Sequence, residues 1–264
     1  MVCNPGRIDC NNDPADGCEA TTCRTLNNLL LLYNLAHDGS NSSNNRAPAA
    51  TALANSTLIV KPVTHPNLQD WAWLNPGGHT IRRDGLVSKQ PVVRFNTAAT
   101  DAALVTALKA GTGFSVEVWV QAEEENPPNK PARIVAITES NDRSKQSFFL
   151  GQNNVGHGEV RLRVGADNAT EVTADGLFPL NTKVHVVVTY DGTWVRIYKD
   201  GDLFKSESRS GSLSGWSTAH KFSLFNSPEG GFLWLGRLYL VAIYGDVLTA
   251  TEVRTNFERG HDPL

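Results

Sequence analysis

The amino-acid sequence predicts an all-β protein folded as an antiparallel two-sheet jelly-roll sandwich with short helices. Three observations carry this. First, from Lys183 to Gly201 the residues Val184, Val186, Val188 and Tyr190 fall on one side of an extended chain. After Asp191-Gly192, Val195 and Ile197 alternate with Trp194, Arg196 and Tyr198. Asp-Gly between two alternating runs signals a β-hairpin, because Gly accepts positive φ without a Cβ penalty and Asp tolerates it. Asp200-Gly201 repeats the signal and places a third strand near Leu203. Second, Phe114, Val116, Val118 and Val120 alternate with Ser115, Glu117, Trp119 and Gln121. Third, the rest of the chain is mostly short apolar runs broken by turn residues, the pattern of a sandwich. A meander with one apolar face must bury it against a second sheet.

Taken in order, residues 1–24 come first. CNPGRIDCNNDPADGCEATTC is rich in Asn, Asp, Gly and Pro and has almost nothing to bury, so it reads as loop. All four cysteines, Cys3, Cys10, Cys18 and Cys23, lie here. Cysteine confined to one small segment indicates two disulfides formed in an oxidising compartment. Three pairings are open, and a zinc site is the rival reading, although no C-x-x-C pair is present. Asp9, Asn11, Asp13, Asp16 and Glu19 offer oxygen ligands at close spacing, so Ca2+ is the candidate cation. The same residues are ordinary turn formers, and the Asp-x-Asp-x-Asp-Gly of an EF-hand is missing.

Residues 25–264 read as one domain. Asn27–Asn34 gives a first strand, followed by the polar HDGSNSSNN. Strands are expected at Thr57–Val63, Trp71–Leu74 and Pro91–Phe95. Asp101–Lys109 carries apolar residues at helical spacing and stops before Gly111. After the strand at Phe114–Gln121 comes an acidic, Pro-containing loop. Strands follow at Arg133–Thr138, Ser147–Gln152 and Glu159–Val164, then the hairpin, then Phe222–Phe225 and Phe232–Tyr244. Gly236, inside the last of these, marks a bulge or bend. Thr249-Ala-Thr-Glu252 fits a capping box for a final helix, with Val253 and Phe257 inward and Gly260 at its end.

At 264 residues the chain suffices for one large all-β domain. Its formal net charge of −3 gives no basic excess to neutralise phosphates, which argues against nucleic acid. Apolar runs such as Leu29–Leu32 are far short of the roughly 20 residues a bilayer requires, so membrane insertion is not expected. Met1 is the only methionine, and no signal region follows it. With the cysteine usage, this leads us to expect an extracellular or cell-surface protein whose export signal has been removed.

The N-terminal DCNNDPADGCE resembles short Cys-Asn-Gly repeats of secreted bacterial surface proteins. FSVEVWVQAE, RIVAITES…QSFFLGQ, RLRV, KVHVVVTYDGTWVRIYKDG and FLWLGRLYLVAIYGDVLTATEVRTNFERG occur in the order seen in laminin-G-like, concanavalin A-like domains, and residues 25–260 resemble that group. The resemblance implies two curved antiparallel sheets with ligand or calcium sites on rim loops or a concave face. In bacterial relatives an Asp follows the first strand; here Asp38 is the only acid of that region. Asp191, Asp200 and Asp246 are further possible ligands that turn geometry also explains. Asn41, Asn55 and Asn168 begin Asn-x-Ser/Thr sequences.

Catalytic relatives of this shape act on polysaccharides. A retaining glycosidase needs two carboxyl groups about 5–5.5 Å apart, which laminarinase-like enzymes supply as Glu-x-Asp-x-Glu. Here Glu117 is followed by Trp119 and Gln121, so that motif is absent. Arg161, Arg163 and His185 resemble parts of a lyase site, without its Gln-x-His. We therefore expect a non-catalytic module. Glu117, Trp119, Arg161, Arg163, His185 and Trp194 can line a sugar-binding face, with rings stacking on sugar C–H groups and charges on hydroxyls. The rival reading, favoured for the two tryptophans, is that Trp119 and Trp194 fill the core, that Glu117 pairs with an Arg on an adjacent strand and that His185 is a plain strand residue. Trp71 and Trp73, beside Gly77-Gly78, can stack on a ligand or pack, and Trp216 in SLSGWST is the candidate exposed loop aromatic. The expected partner is a glycan or a surface or matrix protein. The alternatives are a structural or adhesive subunit assembling with copies of itself, and a polysaccharide hydrolase or lyase.

Overall fold

The computed structural model describes residues 23–35, 58–61, 79–80, 92–95, 97–125, 127, 130–154 and 156–261, with Ala47, Leu53 and Ser56 between them. One sheet runs β1 (Leu29–Asn34), β14 (Gly236–Tyr244), β5 (Phe114–Ala122), β10 (Lys183–Tyr190), β11 (Trp194–Lys199), β12 (Asp202–Ser208). The short β3 (His79–Thr80) pairs with β14 beside the end of β1. The second sheet runs β2 (Leu58–Lys61), β4 (Val92–Phe95), β13 (Lys221–Leu224), β6 (Ala132–Thr138), β7 (Gln146–Asn154), β8 (Gly156–Leu162), β9 (Thr170–Phe178). Every strand pair is antiparallel. The fold is the two-sheet jelly-roll sandwich that the alternation predicts.

The register explains why these strands sit together. Val184, Val186 and Val188 lie opposite Val120, Val118 and Val116, cross-strand β-branched pairs that fill one pleated face. Facing them from the second sheet are Phe148, Leu150, Val160, Leu162, Phe222 and Leu224, all in one buried cluster. Phe114 meets Phe148 edge-on with ring centroids 5.4 Å apart, joining the layers. Each such side chain contributes about 1.5–3 kcal/mol of burial.

The first sheet is buried on its other face as well. There Leu240, Ala242, Tyr244, Trp119, Val187 and Tyr198 form a second cluster with Val253 of α2 (Ala250–Arg259). Phe257 of the same helix stacks on Trp119 at 5.8 Å and 10°. α2 starts with the capping box read from the sequence: Thr249 accepts from Glu252 N–H while Glu252 reaches back to the Thr249 N–H. α1 (Ala98–Ala110) is capped by Thr97 and buries Leu104, Val105 and Leu108.

Some elements differ from expectation. β9 and β3 were not anticipated: β9 is an edge strand that buries Val172 and Ala174 along its length and Leu177 and Phe178 at its end, and β3 spans two residues. Gly236 opens β14 instead of bending it, and the register break falls between Leu238 and Leu240. A Cβ at Gly236 would lie 2.4 Å from the Gln121 carbonyl oxygen, so close packing accounts for the glycine. The strand expected at Trp71–Leu74 lies outside the described residues.

Candidate functional site

Alternation along β5 and β10 places Glu117, Trp119 and His185 on the face turned away from the sandwich core. That face is covered by α2 and by the chain entering β1. Glu117 and His185 are 0% exposed and Trp119 is 9%. The structure thus corrects the expectation that these three line an open sugar-binding face, because Phe257 and Val253 of α2 need apolar surface and Trp119 and Val187 supply it.

Glu117 instead anchors the chain termini. Its Oε1 pairs with the Arg24 guanidinium and accepts from His185 Nε2 at 3.0 Å. Its Oε2 accepts from Tyr244 Oη at 2.8 Å and Asn256 Nδ2 at 2.9 Å. Arg24 also donates to the Gly260 carbonyl at 2.6 Å, and the Thr25 N–H to Asn256 Oδ1 at 2.9 Å. A carboxylate only accepts, so His185 carries its proton on Nε2, and its buried Nδ1 has no hydrogen-bond partner. Burial pushes the Glu117 carboxyl up, but the charge of Arg24 and the bond from His185 prevail and hold it well below the usual range. Burial first, then the Glu117 charge, push the Tyr244 phenol far above its ordinary value. A carboxylate tied down by four donors has no lone pair aimed at a substrate, and no proton to deliver near neutral pH.

The remaining expected residues scatter. Arg161 of β8 is buried to 9% exposure, paired with Glu159 at 2.7 Å and lying over the Phe149 ring beside Arg133. Arg163 is half-buried and donates to the Asp167 carbonyl at 2.9 Å. Trp216, expected as an exposed loop aromatic, is 1% exposed: its ring packs edge-on against Phe114 and its Nε1 donates to the Arg163 carbonyl at 2.9 Å. Trp194, by contrast, is 40% exposed. Asp9, Asn11, Asp13, Asp16, Glu19, Trp71, Trp73, Cys3, Cys10 and Cys18 lie outside the described residues. Cys23 is disulfide-bonded.

Among the described residues an open concavity lies on the rim of the sandwich, where the β10–β11 turn, the end of α1 and the loop after β12 converge. It encloses about 470 Å³ and is lined by Lys109, Thr112, Asp191, Thr193, Ser212, Leu213 and Ser214, with Gly111, Gly192 and Gly211. The Asp191-Gly192 turn builds one wall: Gly192 has φ +90°, and Asp191 Oδ1 accepts from the N–H groups of Thr193 and Trp194. The opposite wall is tied on by backbone bonds from Arg209 to Thr193 and from Gly211 to Gly192, and by Tyr190 Oη to the Gly211 carbonyl at 2.5 Å. Ser212 and Ser214 hydroxyls bond each other at 2.7 Å. Lys109 Nζ crosses to the Trp216 carbonyl at 2.7 Å, so Trp216 serves the site through its backbone and not its ring.

Burial pushes the Asp191 carboxyl up, but Arg196 at 2.5 Å and the two backbone donors outweigh it and hold it low. Among the turn aspartates, Asp200 accepts the His185 N–H at 2.9 Å and Asp246 the Asn28 amide at 3.4 Å. Among the described residues no three His, Cys, Asp or Glu side chains gather as a metal site would require. Of the rim residues, Asp191 was singled out from the sequence as a possible ligand, and the others were not. Their signal was the pairing of two turn-forming stretches, Asp191-Gly192 and SGSLSG at 210–215, whose proximity only the hairpin register reveals.

The family model of the concanavalin A-like lectin/glucanases superfamily matches residues 96–254, more than half of the chain. A search of curated proteins finds no match. Among solved structures, botulinum neurotoxin type C, from work on cell entry dependent upon two ganglioside molecules, aligns over 88% of this chain and 51% of its own, at 12% identity and TM-score 0.59. The binding domain of botulinum neurotoxin DC in complex with rat synaptotagmin II aligns over 88% and 51%, at 13% identity and TM-score 0.56. Domain 4 of AbnA, an extracellular arabinanase of Geobacillus stearothermophilus, in complex with arabinotriose, aligns over 86% and 96%, at 14% identity and TM-score 0.52. At these identities the likeness is one of fold. The chain spans about half the length of the neurotoxin chains it matches.

Proposed function

The chain belongs to the concanavalin A-like lectin/glucanases superfamily, and from that premise we propose that it is a non-catalytic glycan-binding module whose site is the rim cavity. The observation that carries the reading is the lining itself. Thr112, Thr193, Ser212 and Ser214 surround a concavity of about 470 Å³, a size usual for small-molecule sites, which run about 300–1,000 Å³. Each hydroxyl both donates and accepts, matching the hydroxyls of a sugar. Trp194, which follows Thr193 in the chain and lies outside the lining, is 40% exposed and offers an apolar ring for sugar C–H faces beyond the cavity. The fold neighbours, solved in connection with gangliosides and arabinotriose, support a glycan partner. The closure of the Glu117 face supports the absence of catalysis. The proposal includes an extracellular or cell-surface setting, with the segment preceding Arg24 as a disulfide-bonded appendage whose Asp9, Asn11, Asp13, Asp16 and Glu19 are candidate Ca2+ ligands.

One observation favours a protein partner instead. β12 is an edge strand with Leu203 56% and Phe204 40% exposed, and a fold neighbour was solved with synaptotagmin II. The test is glycan-array binding of the oxidised full chain, in calcium and then in EDTA, beside Ser214→Trp, which fills the cavity mouth. Specific binding lost in Ser214→Trp is expected. Binding unchanged in that variant would remove the rim as the site. No glycan bound in either buffer would reject the reading in favour of a protein partner or self-assembly, which light scattering would then separate.

A further inference from the structure

Resting on that reading of the rim, we propose that its ligand is an acidic sugar, bearing a carboxylate or sulfate that the Lys109 ammonium receives. The charged side chains lining the cavity are Lys109 and Asp191. They are not equivalent. Asp191 is committed to Arg196 at 2.5 Å and to two backbone N–H groups, so that acid and its arginine together present no net charge. Arg209, at the edge, is paired with Glu207. Lys109 has no carboxylate partner among the described residues; its one bond is to the Trp216 carbonyl. An ammonium has three donors, so two remain for a ligand.

The last turn of α1 lies behind Lys109, but a helix C-terminus offsets only about half an elementary charge. The cavity therefore keeps a positive remainder at one fixed point. That point is pre-set. The Trp216 carbonyl holding it belongs to a residue whose indole is buried, whose Nε1 bonds the Arg163 carbonyl and whose N–H bonds Leu213. Little side-chain freedom remains to be lost when an anion arrives. Hydroxyl-to-hydroxyl bonding alone would not favour an acid over a neutral sugar; a charge-assisted bond from an ammonium does.

The experiment measures affinity of the full chain for matched probes: oligogalacturonate against oligogalactose of equal length, and sulfated against unsulfated oligogalactose. At least one acidic probe is expected to bind about tenfold tighter than its neutral partner, equivalent to about 1.4 kcal/mol, with the margin shrinking as salt rises. Which pair shows it tells carboxylate from sulfate. Lys109→Met should erase the margin by bringing the acidic probe down to its neutral partner, and Lys109→Arg should keep the margin. Thermal midpoints of both variants show that folding is intact. Equal binding within both pairs, no binding of any probe, or a margin that survives Lys109→Met overturns the inference. Loss of all binding in Ser214→Trp, with no acid preference in the parent, would overturn it alone and leave the rim reading standing. Binding indifferent to Ser214→Trp would remove both.

Discussion

Replacing Arg24 by Met should destabilise the domain far more than its place near the chain terminus implies. Arg24 and Glu117 are 3% and 0% exposed, so the substitution leaves a carboxylate in the interior with only His185, Tyr244 and Asn256 as donors. Removing one partner of a buried ion pair costs about 3–5 kcal/mol. The lost bond to the Gly260 carbonyl adds about 1 kcal/mol. Against an ordinary folding stability of about 5–15 kcal/mol this is a large fraction, and it corresponds to a fall in Tm of roughly 8–24 °C. Glu117→Gln strands the opposite charge and should cost a similar amount. Combined, Arg24→Met with Glu117→Gln removes both charges yet keeps an amide oxygen for Tyr244 and Asn256. The double variant should therefore recover about 2 kcal/mol relative to the sum of the singles, within the range seen for contacting residues.

The pH dependence follows from the same site. The folded carboxyl of Glu117 lies far below its unfolded value, near 4.3, so the folded state binds fewer protons. Its contribution is complete at neutral pH and declines as pH falls below that unfolded value. Urea midpoints followed by tryptophan fluorescence from pH 7 to 3 should fall steeply in the parent and less in Glu117→Gln. An Arg24→Met cost under about 1 kcal/mol, or strictly additive singles, would refute the reasoning, since both would mean the pair is solvated.

Two further outcomes follow. Trp216→Ala should cost about 3–5 kcal/mol as a cavity-forming change, because the indole is 1% exposed, whereas Trp194→Ala should stay within about 0.5 kcal/mol. Thermal denaturation compares them, and a large cost at Trp194 would mean its ring is packed. Thr249→Ala removes the hydroxyl that accepts the Glu252 N–H, the side-chain half of the capping box on α2, and should cost about 1 kcal/mol. Hydrogen exchange at the first turn of α2 should rise before any other region responds; unchanged protection there would show that packing alone sets the helix start.

Alternation made the fold legible because it reports which residues share a face. The hairpin observed at β10 and β11, and β12 starting at Asp202, lie where the two Asp-Gly signals put them. β9 escaped because its first seven residues, TEVTADG, bury only Val172 and Ala174 and its large buried residues, Leu177 and Phe178, come together at the strand end, which leaves little alternating apolar signal. The candidate face failed for a different reason. Period two assigns Glu117, Trp119 and His185 to one side of a sheet without saying what lies over that side. The covering element was itself legible: a capped helix with Val253 and Phe257 inward needs an apolar partner, and the outer face of β5 is the one that offers a tryptophan. Arg24 was invisible as an anchor because its partner lies 93 residues away.

Trp216 shows how local composition misleads about exposure. Ser and Gly before it and Ser and Thr after it suggest a solvated loop, yet the glycine is what lets the loop close over the ring. A Cβ at Gly215 would sit 2.0 Å from the Gly165 carbonyl oxygen, so only glycine permits the approach of the 210–216 loop to the turn at Gly165. That approach seats the indole beneath Phe114 and points the Trp216 carbonyl at Lys109. The serines left outside then face the Asp191-Gly192 turn across the cavity. One small-residue loop thus sets the packing of the sandwich end and the chemistry of the rim together, so a change that loosens Trp216 should also displace the ammonium proposed to select the ligand.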